Sequence, residues 1–211
     1  MAALINTPAD AGSAFFPYES LNAYYQRASY GRLNISGDAF SYTAQYERSH
    51  YDSNVEELFH EALIALDNAV DFSQYDANGD GMIDAVYLHF AGPDSGWNST
   101  WWSESRQAEE TFQYDGKRLF NMVTLHQPST AIDAARTIIH ETGHVLGAPD
   151  LYSYSRYTYS ASPLRSTCTW DLMDNNTGDI NGFFKWMKSE PRRLHINLHA
   201  AMDTRAFASD V

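Results

Sequence analysis

His140-Glu141-Thr142-Gly143-His144-Val145-Leu146-Gly147-Ala148-Pro149-Asp150 sets two histidines four residues apart, with a glutamate directly after the first. On an α-helix, positions i and i+4 lie one above the other on the same face. Both imidazoles then reach one point, with Glu141 beside it. The stretch is predicted to close a helix. Thr130 is an N-cap residue type and Asp133 follows three residues later, an acidic version of the capping box. Ala135, Ile139, Thr142 and Leu146 fall on one stripe, flanked by Ile138 and Val145. Gly147 suits a C-cap, because glycine adopts the left-handed conformation without steric cost. A turn there sends the chain back, and Pro149 stiffens the return. Asp150 is therefore expected to bring its carboxylate to the same point. Gly143, inside the helix, costs about 1 kcal/mol relative to alanine, and is read as a close approach of another backbone.

Imidazole nitrogens and a carboxylate oxygen are zinc ligands, and three of them leave one position open, as in catalytic rather than structural zinc sites. His-Glu-x-x-His is also the spacing of zinc hydrolases. His140, His144 and Asp150 are the expected Zn2+ ligands. Glu141 is the expected general base, taking a proton from water activated at the metal and returning it to a leaving amine. A chance occurrence of the three residues is the competing reading. The apolar helix, the glycine stop and the later carboxylate argue against it.

The string H-E-x-x-H-x-x-G-x-x-D resembles the metzincin branch of zinc peptidases, which carry a methionine turn beneath the metal. Met173, in Trp170-Asp171-Leu172-Met173-Asp174, looks like that methionine. With Gly147-Ala148-Pro149-Asp150-Leu151-Tyr152, the chain is similar to the immune inhibitor A family of secreted bacterial metallopeptidases. Ser20 through Gly31 resembles the start of that family's catalytic domain, and so does Asp76-Ala77-Asn78-Gly79-Asp80-Gly81 leading into a strand. The resemblance spans about residues 15–188. It implies an α+β, zincin-like fold: a twisted mixed sheet, an active-site helix and a small, shortened C-terminal subdomain. It implies the same zinc ligands and base, and an extracellular, secreted protein, although no signal peptide is visible at Met1-Ala2-Ala3-Leu4-Ile5.

At 211 residues the chain is long enough for one domain with a substantial core. Its formal net charge of −13 argues against nucleic acid, which demands a basic footprint. It argues equally against an anionic membrane surface. No stretch is long and apolar enough to span a bilayer. The single cysteine, Cys168, excludes an intramolecular disulfide. The expected partner is a protein or peptide substrate, met by a monomer.

Residues 1–14 are small and polar and are expected to be mobile. Ser20 is expected to cap a helix over 21–29, ended by Gly31. Leu33, Ile35, Phe40 and Tyr42 around Gly37-Asp38 read as a hairpin. Ser53-x-x-Glu56 reads as a capping box for an amphipathic helix over about 54–71, which packs on the sheet and leaves His60 at its surface or edge. Asp76, Asn78, Asp80, Met82 (through its carbonyl) and Asp84 match the calcium positions of an EF-hand-type loop, making Ca2+ a second expected cofactor. The twelfth position is Tyr87, so the bidentate glutamate is missing. The same residues also suit a metal-free Asx-rich turn.

Ala85–Phe90 is predicted to be a buried strand. Asp115-Gly116 is a strong hairpin signal. Met122–Leu125, just ahead of the active helix, is the strand expected along the cleft. Trp97, Trp101 and Trp102 suit either a substrate rim or packing. Residues 151–169 are a long loop rich in tyrosine, suited to a specificity wall. A short helix is expected over 179–188, and 189–211 reads as a polar tail that departs from the family pattern. The function expected is a zinc-dependent endopeptidase. Its rivals are a zinc amidohydrolase of non-protein amides and an inactive zincin acting as a calcium-dependent binding module.

Overall fold

The computed structural model describes residues 2–7, 19–96, 99–152, 170–175, 178–187 and 193–202. The chain is a mixed α+β structure built on one mixed sheet. Helices α1 (Ala2–Asn6) and α2 (Leu21–Ala28) precede strands β1 (Asn34–Ser36) and β2 (Ala39–Tyr42). Helix α3 (Val55–Leu66) leads to β3 (Ala85–His89), β4 (Glu104–Gln107), the short pair β5 (Gln113–Tyr114) and β6 (Lys117–Arg118), and β7 (Asn121–Leu125). Helix α4 (Ala131–Val145) carries the two histidines, and β8 (Arg193–Met202) is the last strand. The sheet order is β1-β8-β3-β7-β4, with β2 also on β8. All pairings are parallel except β4 on β7. Among the described residues no helix is long and apolar enough to cross a membrane.

Strand β3 is buried along most of its length, as a central strand covered on both faces must be. Its alternation sorts two cores. Ala85 and Tyr87, with Val123 and Leu125 of β7, face Tyr24 and Tyr25 of α2 and Ala135, Ile138 and Ile139 of α4. Val86 and Leu88, with Met122, face Val55, Leu58, Phe59 and Leu63 of α3. The sheet therefore lies between α2 and α4 on one side and α3 on the other.

Several expectations change. Gly37-Asp38 does not turn a hairpin: β1 and β2 run along β8 in the same parallel sense, as one strand broken in the middle. The polar tail supplies β8, an interior strand between β1 and β3. Its alternation of Leu194, Ile196 and Leu198 with His195, Asn197 and His199 is the strand period. Residues 2–7 are held rather than loose, with Leu4 and Ile5 in the core, and the rest of the 1–14 stretch falls outside the described residues. Helix α2 stops at Ala28, and beyond its C-cap Ser29 both Tyr30, at φ 58°, and Gly31, at 76°, are left-handed. Helix α3 is capped by Asn54, which accepts the Glu56 N–H, and it stops at Leu66. Glu56 is instead drawn sideways to accept the N–H groups of Glu109 and Glu110 at 3.0 Å each. His60 is buried, its Nδ1 2.7 Å from the Tyr114 hydroxyl. Trp101 is also buried, its Nε1–H donated to Asp52. The expected 179–188 helix is shorter, Gly182–Met187.

Candidate metal centre

Helix α4 begins as its sequence dictates. The Thr130 hydroxyl accepts the Asp133 N–H at 3.1 Å, and the Asp133 carboxylate accepts the Thr130 hydroxyl at 2.8 Å. Ile138 and Ile139 are fully buried, each contributing roughly 1.5–3 kcal/mol. That outweighs the helical cost of about 1 kcal/mol at Gly143. Gly143 is required by a side chain, not by a backbone as expected: a β-carbon there would lie 2.6 Å from Met173 Sδ and 3.4 Å from the Tyr25 hydroxyl.

The helix ends in a Schellman turn. The Ala148 N–H reaches the Gly143 carbonyl at 2.9 Å and the Gly147 N–H reaches His144 at 2.7 Å, with Gly147 at φ 90°. The reversed chain delivers Asp150. Its Oδ1 lies 3.2 Å from His140 Nε2 and 3.3 Å from His144 Nε2. Among the described residues, this is the one trio of His, Cys, Asp or Glu side chains whose ligand atoms lie within 4.8 Å of one another.

The tautomers of both rings are fixed by backbone carbonyls, which only accept. His140 Nδ1 donates to the Leu172 carbonyl at 3.0 Å, and His144 Nδ1 donates to the Ala148 carbonyl at 2.8 Å. In the neutral rings each Nε2 therefore turns a lone pair toward the Asp150 carboxylate. Three such electron-rich atoms repel unless a proton or a metal ion lies among them. Tetrahedral ligands with bonds of about 2.0–2.1 Å sit about 3.3–3.4 Å apart, which matches the two N···O separations. The carbonyl bonds on the far nitrogens are the outer-shell contacts that metal-bound histidines make. The residues fit zinc.

Met173 is buried beneath the centre, in a helical turn Leu172–Asn175 that also supplies the Leu172 carbonyl. The Met173 carbonyl accepts the Leu151 N–H at 2.9 Å, tying the Asp150 return to the same turn. Two tyrosines hold α4. Tyr25 of α2 donates to the Ile139 carbonyl at 2.7 Å. Thr142 Oγ1 donates to the Ile138 carbonyl at 2.7 Å, so Tyr87 of β3 donates its hydroxyl to Thr142 at 2.8 Å.

Glu141 is 5% exposed, and its Oε2 has no hydrogen-bond partner. Burial pushes its carboxyl up to about 7, against the pull of His140 and His144, while a backbone N–H of Ser105 favours the anion. Burial lowers the His144 imidazole, but the Asp150 carboxylate overrides it and the net displacement is upward. Ser105 lies in β4, the antiparallel strand at the sheet's edge. The strand beside the site is thus β4. Met122–Leu125 is interior, with β3 on one side and β4 on the other. Nothing in Glu104-Ser105-Arg106-Gln107 announces this, because the stretch is polar throughout. A cleft of about 450 Å³ reaches His144 and is lined also by Tyr25, Asn121, Val145 and Phe184.

Other polar residues lie elsewhere. His126 is bonded to Ser103 through Nδ1 at 2.6 Å and is no part of the trio. The carboxylates of Asp76, Asp80 and Asp84 accept N–H groups, and they form no converging trio. Tyr154, Tyr157, Tyr159, Trp97 and Cys168 fall outside the described residues. The chain matches no protein-family model and no curated relative.

Proposed function

We propose that the chain is a zinc-dependent endopeptidase of zincin type, with His140, His144 and Asp150 as metal ligands. The observation that carries this is the pair of carbonyl-fixed imidazoles whose Nε2 atoms flank one carboxylate oxygen at 3.2 and 3.3 Å. The sheet, the helix lying on it and the methionine below the centre support the likeness to metzincins and to the immune inhibitor A family.

Zinc in such a site polarises a scissile carbonyl and lowers the pKa of water. Glu141 supplies the proton traffic. Its buried carboxylate accepts a proton from the attacking water and gives it to the departing amine. Among the described residues β4 pairs with β7 alone, so its outer edge beside Glu141 suits an extended peptide better than a small amide.

The test is Glu141→Gln. The variant is expected to retain zinc and to lose roughly 10²–10⁴-fold in cleavage of an unfolded protein such as casein. Undiminished cleavage with zinc bound would remove Glu141 from the reaction.

A further inference from the structure

We propose that the Asp76–Asp84 loop carries its own cation: the Lys117 ammonium, delivered by the β5–β6 hairpin, holds Asp76 in place of calcium. Calcium wants about six to eight oxygens turned inward. Here the carboxylate oxygens of Asp76 and Asp80, and one of Asp84, already accept donors from the protein. Asp76 Oδ1 accepts the Asp80 N–H at 2.9 Å, and Oδ2 accepts both the Gly81 N–H at 2.9 Å and Lys117 Nζ at 2.7 Å. Asp80 Oδ1 accepts the Met82 N–H at 2.9 Å, and Oδ2 accepts the Asn78 amide at 2.7 Å. Asp84 Oδ2 accepts the Ala77 N–H at 3.1 Å. The twelfth position cannot assist, because the Tyr87 hydroxyl is committed to Thr142 on the far side of the strand.

The Asp76 side chain is covered by its neighbours although the residue is only half-buried in a surface loop, so its carboxylate needs partners within the loop and hairpin. Lys117 meets that need and holds the Asp76 carboxyl below the usual range. A divalent ion on the same oxygen would face the ammonium directly. The hairpin adds two backbone locks: the Arg118 N–H reaches the Gly81 carbonyl at 2.9 Å, and the Ile83 N–H reaches the Arg118 carbonyl at 2.8 Å. Asp115, at the hairpin's own turn, accepts the Phe72 N–H at 2.8 Å. Hairpin and lysine together close the loop as a bound ion closes others. This inference does not depend on the zinc reading.

The test is calcium titration of the full chain by calorimetry, with thermal melts in calcium-free buffer and in millimolar calcium, zinc being supplied throughout. The wild type is expected to show no saturable calcium heat and an unchanged Tm. Lys117→Gln keeps the length of the side chain and removes its charge. It is expected to have a lower Tm without calcium and to recover part of the loss when calcium is added. Saturable calcium binding by the wild type would overturn the proposal, and this arm needs no variant to fold. A Lys117→Gln protein that folds and ignores calcium would overturn it too, since the lysine would then not be what keeps the ion out.

Discussion

The sulfur of Met173 lies 2.6 Å from the place a β-carbon on Gly143 would occupy. Helix α4 thus has a missing side chain where the buried methionine presses on it, one residue before His144. Gly143→Ala gains about 1 kcal/mol of helix propensity but forces the thioether and the Tyr25 hydroxyl aside in a packed core. Overpacking costs about 1–3 kcal/mol. A net loss of about 1 kcal/mol is expected in urea denaturation, relieved when Met173→Ala is added. A stabilised Gly143→Ala would show that the contact carries no weight.

The Tyr25 hydroxyl, donated to the Ile139 carbonyl, is a buried tie between α2 and the helix bearing His140 and His144. Tyr25→Phe removes the bond and keeps the ring. It is expected to cost about 0.5–1.5 kcal/mol and to reduce peptide cleavage far less than Glu141→Gln does. A loss of cleavage as deep as that of Glu141→Gln would place the hydroxyl in the chemistry instead.

Without metal, the Glu141 carboxyl sits at about 7 in the folded chain against 4.5 for the free group, chiefly through burial. Between those values the folded state holds more protons than the unfolded state, so stability falls as pH rises through the window. The full displacement is worth about 3 kcal/mol. Chelated wild type is therefore expected to lose up to about that much, relative to Glu141→Gln, between pH 4.5 and pH 7. Parallel pH profiles for the two proteins would contradict it.

Features with a side-chain signature were legible in the sequence. Thr130 caps α4, Ser20 caps α2, Asp115-Gly116 turns the β5–β6 hairpin with both residues at positive φ, and Gly147 reverses the chain toward Asp150. Each rests on contacts a few residues apart. Strand pairing does not. Gly37-Asp38 has turn chemistry, yet β1 and β2 both find β8, more than 150 residues later in the chain. The histidines and asparagine of β8 masked a period-2 alternation that was present throughout. Glu56 had the spacing of a capping box but satisfies two distant N–H groups instead. The carbonyls of Leu172 and Ala148, which set both imidazole tautomers, belong to the backbone and leave no trace in residue type.

Zinc-edge X-ray absorption on the purified chain, with metal content measured on the same sample, tests the central claim most directly. One zinc per chain is expected, held by two imidazole nitrogens and by oxygen at about 2.0–2.2 Å, and lost in His144→Ala. A chain that folds but takes up no zinc, or a zinc bound through sulfur, would contradict the account.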